Sequence, residues 1–151
     1  MILIAHRGNY KGKEDRMENT PAHILKATSL GFSVEVDVWM VNQKLYLGHD
    51  GPTFNIPGDP KKFLNSIGDK GWFHAKNLEA LQFLSRNGYH TFFHDQDAYT
   101  LTSKGYIWGY TGNEVGPYGI IVMPESTPGF KWMYRPAGIC SDNVVQYLDT
   151  L

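Results

Sequence analysis

One cysteine in 151 residues, Cys140, rules out an internal disulfide. That usage fits a reducing compartment, and a cytoplasmic location is the expectation. Cys140 itself, in Gly138-Ile139-Cys140, reads as a small buried hydrophobe. An excess of charge is also missing. Fourteen basic residues against fifteen acidic ones give a formal charge of −1, so no broad basic field exists to hold nucleic acid. A local basic site could still bind one phosphate. The chain has no long apolar run and no basic lead before a small-residue cleavage site. Neither a membrane span nor a secretory signal is expected. Repeats, low-complexity tracts and flexible linkers are absent too, so residues 1–151 read as one domain.

What is present is a globular composition, with 42% hydrophobic and 14% aromatic residues. One stretch organises it, Phe32-Ser33-Val34-Glu35-Val36-Asp37-Val38-Trp39. As a strand it points Glu35 and Asp37 to one face and Val34, Val36 and Val38 to the other. Two like charges on an otherwise apolar strand repel and are costly to desolvate, and a divalent cation with oxygen ligands would hold them together.

Around that stretch the pattern alternates. Met1–Ala5 reads as a buried strand, and Asn19 or Thr20 caps a helix that starts at Pro21 and is closed by Gly31. Lys44–Gly48 returns as a short strand to His49-Asp50, and Gly51–Asp59 is a loop rich in proline and glycine. Pro60–Ile67 is a short helix, Trp72–Lys76 a strand, and Asn77 caps a helix over Leu78–Asn87. Thr91–His94 is a strand, Ala98–Lys104 a helical turn or two, and Tyr106–Tyr110, Gly119–Met123 and Ala137–Cys140 are strands. Val144–Leu148 is a short terminal helix. Strand and helix in alternation predict α/β with parallel strands.

Polar and titratable residues fall at the carboxyl ends of successive strands: His6, Glu35 with Asp37, His74 with Lys76, His94, then Asp142. Such ends meet on one face of a parallel barrel. The chain is short for a full barrel, so the expectation is a contracted, irregular (β/α) TIM-type barrel whose late helices are missing or shortened. Aromatic segments around Tyr118, Phe130 and Trp132, or a second copy of the chain in a homo-oligomer, would cover the bare late strands.

His6 and His49 bracket the carboxylate strand. Imidazoles can give a proton to a leaving group and take one from a nucleophile, which a phosphodiester requires along with positive charge at its oxygens. Arg7 and Lys76 can supply that charge. His6-Arg7-Gly8, Glu18-Asn19-Thr20, Glu35-Val36-Asp37-Val38 and His49-Asp50, in this order and spacing, resemble the signature of the glycerophosphodiester phosphodiesterase family. The likeness covers residues 1–50, continues loosely through His74-Ala75-Lys76, and returns at Gly138–Asn143. The middle of the chain looks like a compact bacterial branch of the PLC-like phosphodiesterases.

The resemblance implies a distorted (β/α)8 barrel, a Mg2+ or Ca2+ ion and metal-assisted cleavage of a small-molecule phosphodiester. By position Glu35 and Asp37 would bind metal, His6 and His49 form the acid/base pair, and Arg7 and Lys76 contact phosphate. Glu18 would either complete the metal shell or orient Arg7. His74 stands where the family has a carboxylate. An imidazole beside two carboxylates suits Mn2+, Zn2+ or Fe2+ better than Ca2+, or a water fills the position, or the metal site is weakened.

His94 is a candidate substrate contact, whereas Asp95 or Asp97 can equally cap the next turn. Trp108 and Tyr110 either stack on a sugar or cover the core. Glu125 and Asp142 end late strands. His23 and His90 read as structural or exposed. Three activities remain open on these residues: a phosphodiesterase, a lyase stopping at a cyclic phosphate, and a degenerate barrel that only binds a phosphorylated ligand.

Overall fold

The computed structural model describes residues 1–56 and 58–150; of the loop read over Gly51–Asp59, Pro57 lies outside them. Its strands are β1 (Ile2–Ala5), β2 (Ser33–Val41), β3 (Lys44–Leu47), β4 (Phe54–Asn55), β5 (Gly71–Ala75), β6 (Thr91–Phe92), β7 (Tyr99–Leu101), β8 (Ile107–Gly109), β9 (Gly119–Val122) and β10 (Gly138–Ser141). They form one sheet in the order β4-β3-β2-β1-β10-β9-β8-β7, and β5 pairs with both β2 and β6. The ladders of β1 with β2 and β10, β2 with β5, β5 with β6, β8 with β9 and β9 with β10 are parallel. Those of β3 with β2 and β4, and of β7 with β8, are antiparallel.

Three α-helices are described: α1 (Pro21–Ser29), α2 (Pro60–Ile67) and α3 (Leu78–Arg86). Each begins as the sequence indicates. Thr20, Asp59 and Asn77 accept main-chain N–H groups of the first turn, and proline opens α1 and α2. All three precede β6. Beyond it the described residues hold only short 3-10 turns, at Pro124–Ser126 and Val144–Thr150.

This corrects the expected (β/α) TIM-type barrel. The molecule is a curled mixed sheet, a half-barrel with few helices. The reason is local. Residues 99–101, read as part of a helical turn, are instead the strand β7, an aromatic, a β-branched residue and a leucine paired with β8. Residues 110–118 then pass from β8 to β9 without a crossover helix. Among the described residues no ladder joins β6 to β8; the Phe92 and Trp108 rings, 4.5 Å apart, bridge that gap.

The period-two alternation of the strands sets up two apolar layers. Val34, Val36 and Val38 of β2, with Leu3, Ala5, Phe73 and Ala75, pack outward against Ile24, Leu64 and Leu84 of the helices. Ile4, Trp72, Phe92, Trp108, Ile120 and Cys140 fill the inside of the curl. Cys140 is buried and free, as its context indicates. Burial of this apolar surface is the main favourable term in folding. The inward face at the carboxyl ends of the strands is left for polar groups. No helix among the described residues is long and apolar enough to cross a membrane.

Candidate functional site

A cleft of about 430 Å³ opens at those carboxyl ends, and His6, Arg7, Glu35, Asp37, His49, His74, Lys76 and His94 all line it. Parallel register explains the first step of the assembly. Asp37 pairs with His74 across β2 and β5, and Ala5 pairs with both Val34 and Ser141, so the residues following β1 and β10 emerge side by side. His49 arrives by another route. β2 overshoots the rim to Val41, and β3 returns antiparallel, delivering Gly48 and His49. There the Gly48 N–H donates to Asp37 O at 3.2 Å, and Trp39 Nε1 donates to Gly48 O at 2.7 Å.

At the floor of the cleft one ligand atom from each of Glu35, Asp37 and His74 lies within 4.8 Å of the others. His74 Nδ1 is 3.1 Å from Asp37 Oδ1 and 3.4 Å from Glu35 Oε1. The other carboxylate oxygens are tied down. Asn19 Nδ2 donates to Asp37 Oδ2 at 2.8 Å, and the Arg7 N–H donates to Glu35 Oε2 at 3.2 Å. Asp37 Oδ1 is buried and makes no well-aligned hydrogen bond among the described residues, its near neighbours being His74 Nδ1 and, at 3.7 Å, Lys76 Nζ. A buried acceptor without a well-made bond is costly, so an oxygen turned toward the Glu35 and His74 ligand atoms fits a cation site. Two carboxylates and an imidazole are therefore able to hold a divalent ion.

Charge in the floor is arranged around Asp37. Burial opposes its ionisation, but His74, Arg7 and Lys76 outweigh that and hold its carboxyl well below the usual carboxylate range. Burial likewise opposes a proton on His74, yet the Asp37 and Glu35 carboxylates raise its pKa to about 9. Lys76 Nζ stands 3.7 Å from Asp37 Oδ1.

Glu18 goes to Arg7 and not into the ligand group. It takes Arg7 Nη1 at 2.9 Å and Asn9 Nδ2 at 3.0 Å, while Arg7 Nε stands 3.2 Å from Asp37 Oδ2. Of the two roles open to Glu18, the geometry matches orientation of Arg7. Arg7 adopts φ +52°, an uncommon conformation for a residue with a side chain, which belongs to this tight turn after β1.

His6 Nδ1 is 2.8 Å from Asp142 Oδ1, and Asp142 also accepts Asn9 Nδ2 at 2.8 Å. Burial works against a charged His6, but the bond to Asp142 prevails and raises its pKa. Since a carboxylate only accepts, Nδ1 carries hydrogen and Nε2 is the free ring nitrogen. His49 is more open, with its side chain 43% exposed, and its Nδ1 meets Asp50 at 2.7 Å. His94 Nε2 donates to Asp97 O at 2.6 Å, and the ring stands 5.6 Å from that of Tyr110. Asp95, Gln96, Trp108 and Tyr110 complete that wall of the cleft. Trp108 is buried and Tyr110 is exposed, so the first packs the core and the second is available to a ligand.

His23 and His90 are both buried and lie outside the cleft. His23 bonds Asn9 Oδ1, and His90 bonds Thr102 Oγ1. Glu125 is the buttress behind Asp142, accepting from Ser141 Oγ at 2.6 Å and from the Asp142 N–H at 3.0 Å. Sequence reasoning missed two asparagines. Asn9 links Glu18, Asp142 and His23, and Asn19 grips the side chain and main chain of Asp37 while Thr20 does the capping. The signal for Asn19 was that an Asn-Thr pair offers one residue more than a single cap needs.

Comparison with family models, curated proteins and solved structures gave no match to this chain.

Proposed function

We propose that the protein is a metal-dependent phosphodiesterase acting on a glycerophosphodiester-like or polyol phosphodiester, as the likeness of residues 1–50 to glycerophosphodiester phosphodiesterases suggests. The observation that carries this reading is the single cleft lined by His6 and His49 together with Glu35, Asp37, His74, Arg7 and Lys76. Glu35, Asp37 and His74 would hold a divalent cation, which when bound supplies Lewis-acid stabilisation of phosphoryl charge. Arg7, aimed by Glu18, and Lys76 bind the non-bridging oxygens. One imidazole takes the proton from the attacking oxygen as its bond to phosphorus forms. The other gives a proton to the departing alkoxide as the old P–O bond breaks. With water as nucleophile the products are a phosphomonoester and an alcohol; with a neighbouring substrate hydroxyl they are a cyclic phosphate and an alcohol.

The test is a panel of glycerophosphodiesters incubated with Mg2+, Ca2+, Mn2+ and Zn2+ in turn. Cleavage that requires a cation, and that His6→Ala and His49→Ala each abolish, is the expected result. No turnover by the wild type across the whole panel counts against the enzyme. Tight phosphate binding under the same conditions would then identify a non-catalytic module, in which Arg7 and Lys76 already neutralise Asp37.

A further inference from the structure

We infer that the cleft selects a first-row transition ion, Mn2+ or Zn2+, over Ca2+, because the third side chain of its ligand group is the His74 imidazole. The inference rests on the metal-dependent reading above and goes beyond it by naming the ion. His74 Nε2 is 2.9 Å from the His94 carbonyl oxygen. A carbonyl can only accept, so Nε2 carries hydrogen, and a metal would take the ring at Nδ1 in place of the proton the two carboxylates favour there. That atom faces Asp37 Oδ1 and Glu35 Oε1 at 3.1 and 3.4 Å. Separations of about 3.0–3.4 Å are those of two ligands sharing an ion at bond lengths of about 2.1 Å.

The tie is itself supported, because the His94 ring closes its own loop on Asp97 O and the His74 ring stacks on Phe92 at 4.9 Å. Such an outer hydrogen bond fixes the orientation of a ligating imidazole. Ca2+ prefers about six to eight oxygen ligands. Here Asn19, Arg7 and the Arg7 N–H occupy the second oxygens, and Lys76 Nζ stands 3.7 Å from Asp37 Oδ1, so neither carboxylate is free to grip an ion with both oxygens. Imidazole and first-row ions match better.

Isothermal titration of the metal-free protein with Mn2+, Zn2+ and Ca2+ separately, on wild type and His74→Glu, tests this, with thermal melts confirming that both fold. Wild type is expected to bind Mn2+ at least tenfold tighter than Ca2+, and His74→Glu to cut that ratio at least tenfold. A ratio unmoved by His74→Glu, or Ca2+ bound by wild type as tightly as Mn2+, overturns the inference. Spin-echo spectroscopy of bound Mn2+ in protein labelled with 15N-histidine gives a second readout. Nitrogen coupling in the wild type, lost in His74→Glu, supports it, and no coupling in the wild type overturns it. Metal-dependent turnover with an unmoved ratio would overturn only the choice of ion, whereas a wild type that binds no divalent ion overturns the metal-dependent reading as well.

Discussion

Asp142 Oδ1 sits 2.8 Å from His6 Nδ1 although 136 residues separate them in the chain. The pair forms because β1 and β10 are parallel neighbours in register, Ala5 beside Ser141, so the next residue of each strand leaves the sheet at the same place. Asp142 fixes the tautomer and orientation of His6 and, through its charge, favours the protonated ring.

Replacing Asp142 with Asn therefore leaves the fold in place but removes that charge. Turnover of a phosphodiester should fall by about 10² to 10³, within the range general acid–base catalysis contributes. The limb of the pH–rate profile that reports His6 should move to lower pH, because the group raising its pKa is gone. Steady-state kinetics across pH checks both, and an unmoved limb would show that Asp142 does not act through His6.

Arg7 presents two nitrogens to two carboxylates, Nη1 to Glu18 and Nε to Asp37. A lysine cannot reproduce that fork. Arg7→Lys should lower kcat/KM by about 10² or more, by analogy with loss of one aimed donor in an active site. Glu18→Gln, which keeps a weaker partner for Arg7, should cost less. Equal losses in the two variants would argue that Glu18 does more than hold Arg7.

Asn19 is buried at φ +59° and bonds Asp37 twice, through its carboxylate and its main-chain N–H. Asn19→Gly relieves the backbone constraint and isolates the lost clamp. Urea unfolding should show a loss of about 1–3 kcal/mol, the cost of leaving buried groups unpaired. Cation affinity measured by calorimetry should fall with it, because the free oxygen of Asp37 is no longer aimed.

Burial, with a smaller contribution from Lys104, lowers the pKa of His90 to about 4. The unfolded chain binds a proton there at about pH 6.5, so the folded state binds fewer protons between the two values. The contribution of His90 to stability is complete above pH 6.5 and is lost as pH falls toward 4. Urea midpoints over that range should drop in the wild type, and drop less in His90→Gln, which can still bond Thr102.

Much of the site was legible because it lies on the strand following the rules of alternation. Glu35 and Asp37 face into the curl while Val34, Val36 and Val38 meet the helices, as period two requires. The caps at Thr20 and Asn77 and the prolines opening α1 and α2 were equally local. What was not legible depends on pairing across the sheet. Nothing near Asp142 in sequence says that it meets His6, and nothing near Asn9 says that it joins three side chains from different loops. The second half failed for another reason. Tyr99-Thr100-Leu101 has no periodicity long enough to separate a turn of helix from a strand, and only its partner Ile107–Gly109 decides between them. With that hairpin in place of a helix, the closed barrel expected from the first half became an open curl.

The most direct test of the whole account is an anomalous difference map from crystals grown with Mn2+ and inorganic phosphate. A single strong peak in the cleft, ligated by Glu35, Asp37 and His74, with phosphate density reaching Arg7 and Lys76, is the expected result. A map with no peak there, and His74 still against the two carboxylates, would contradict it.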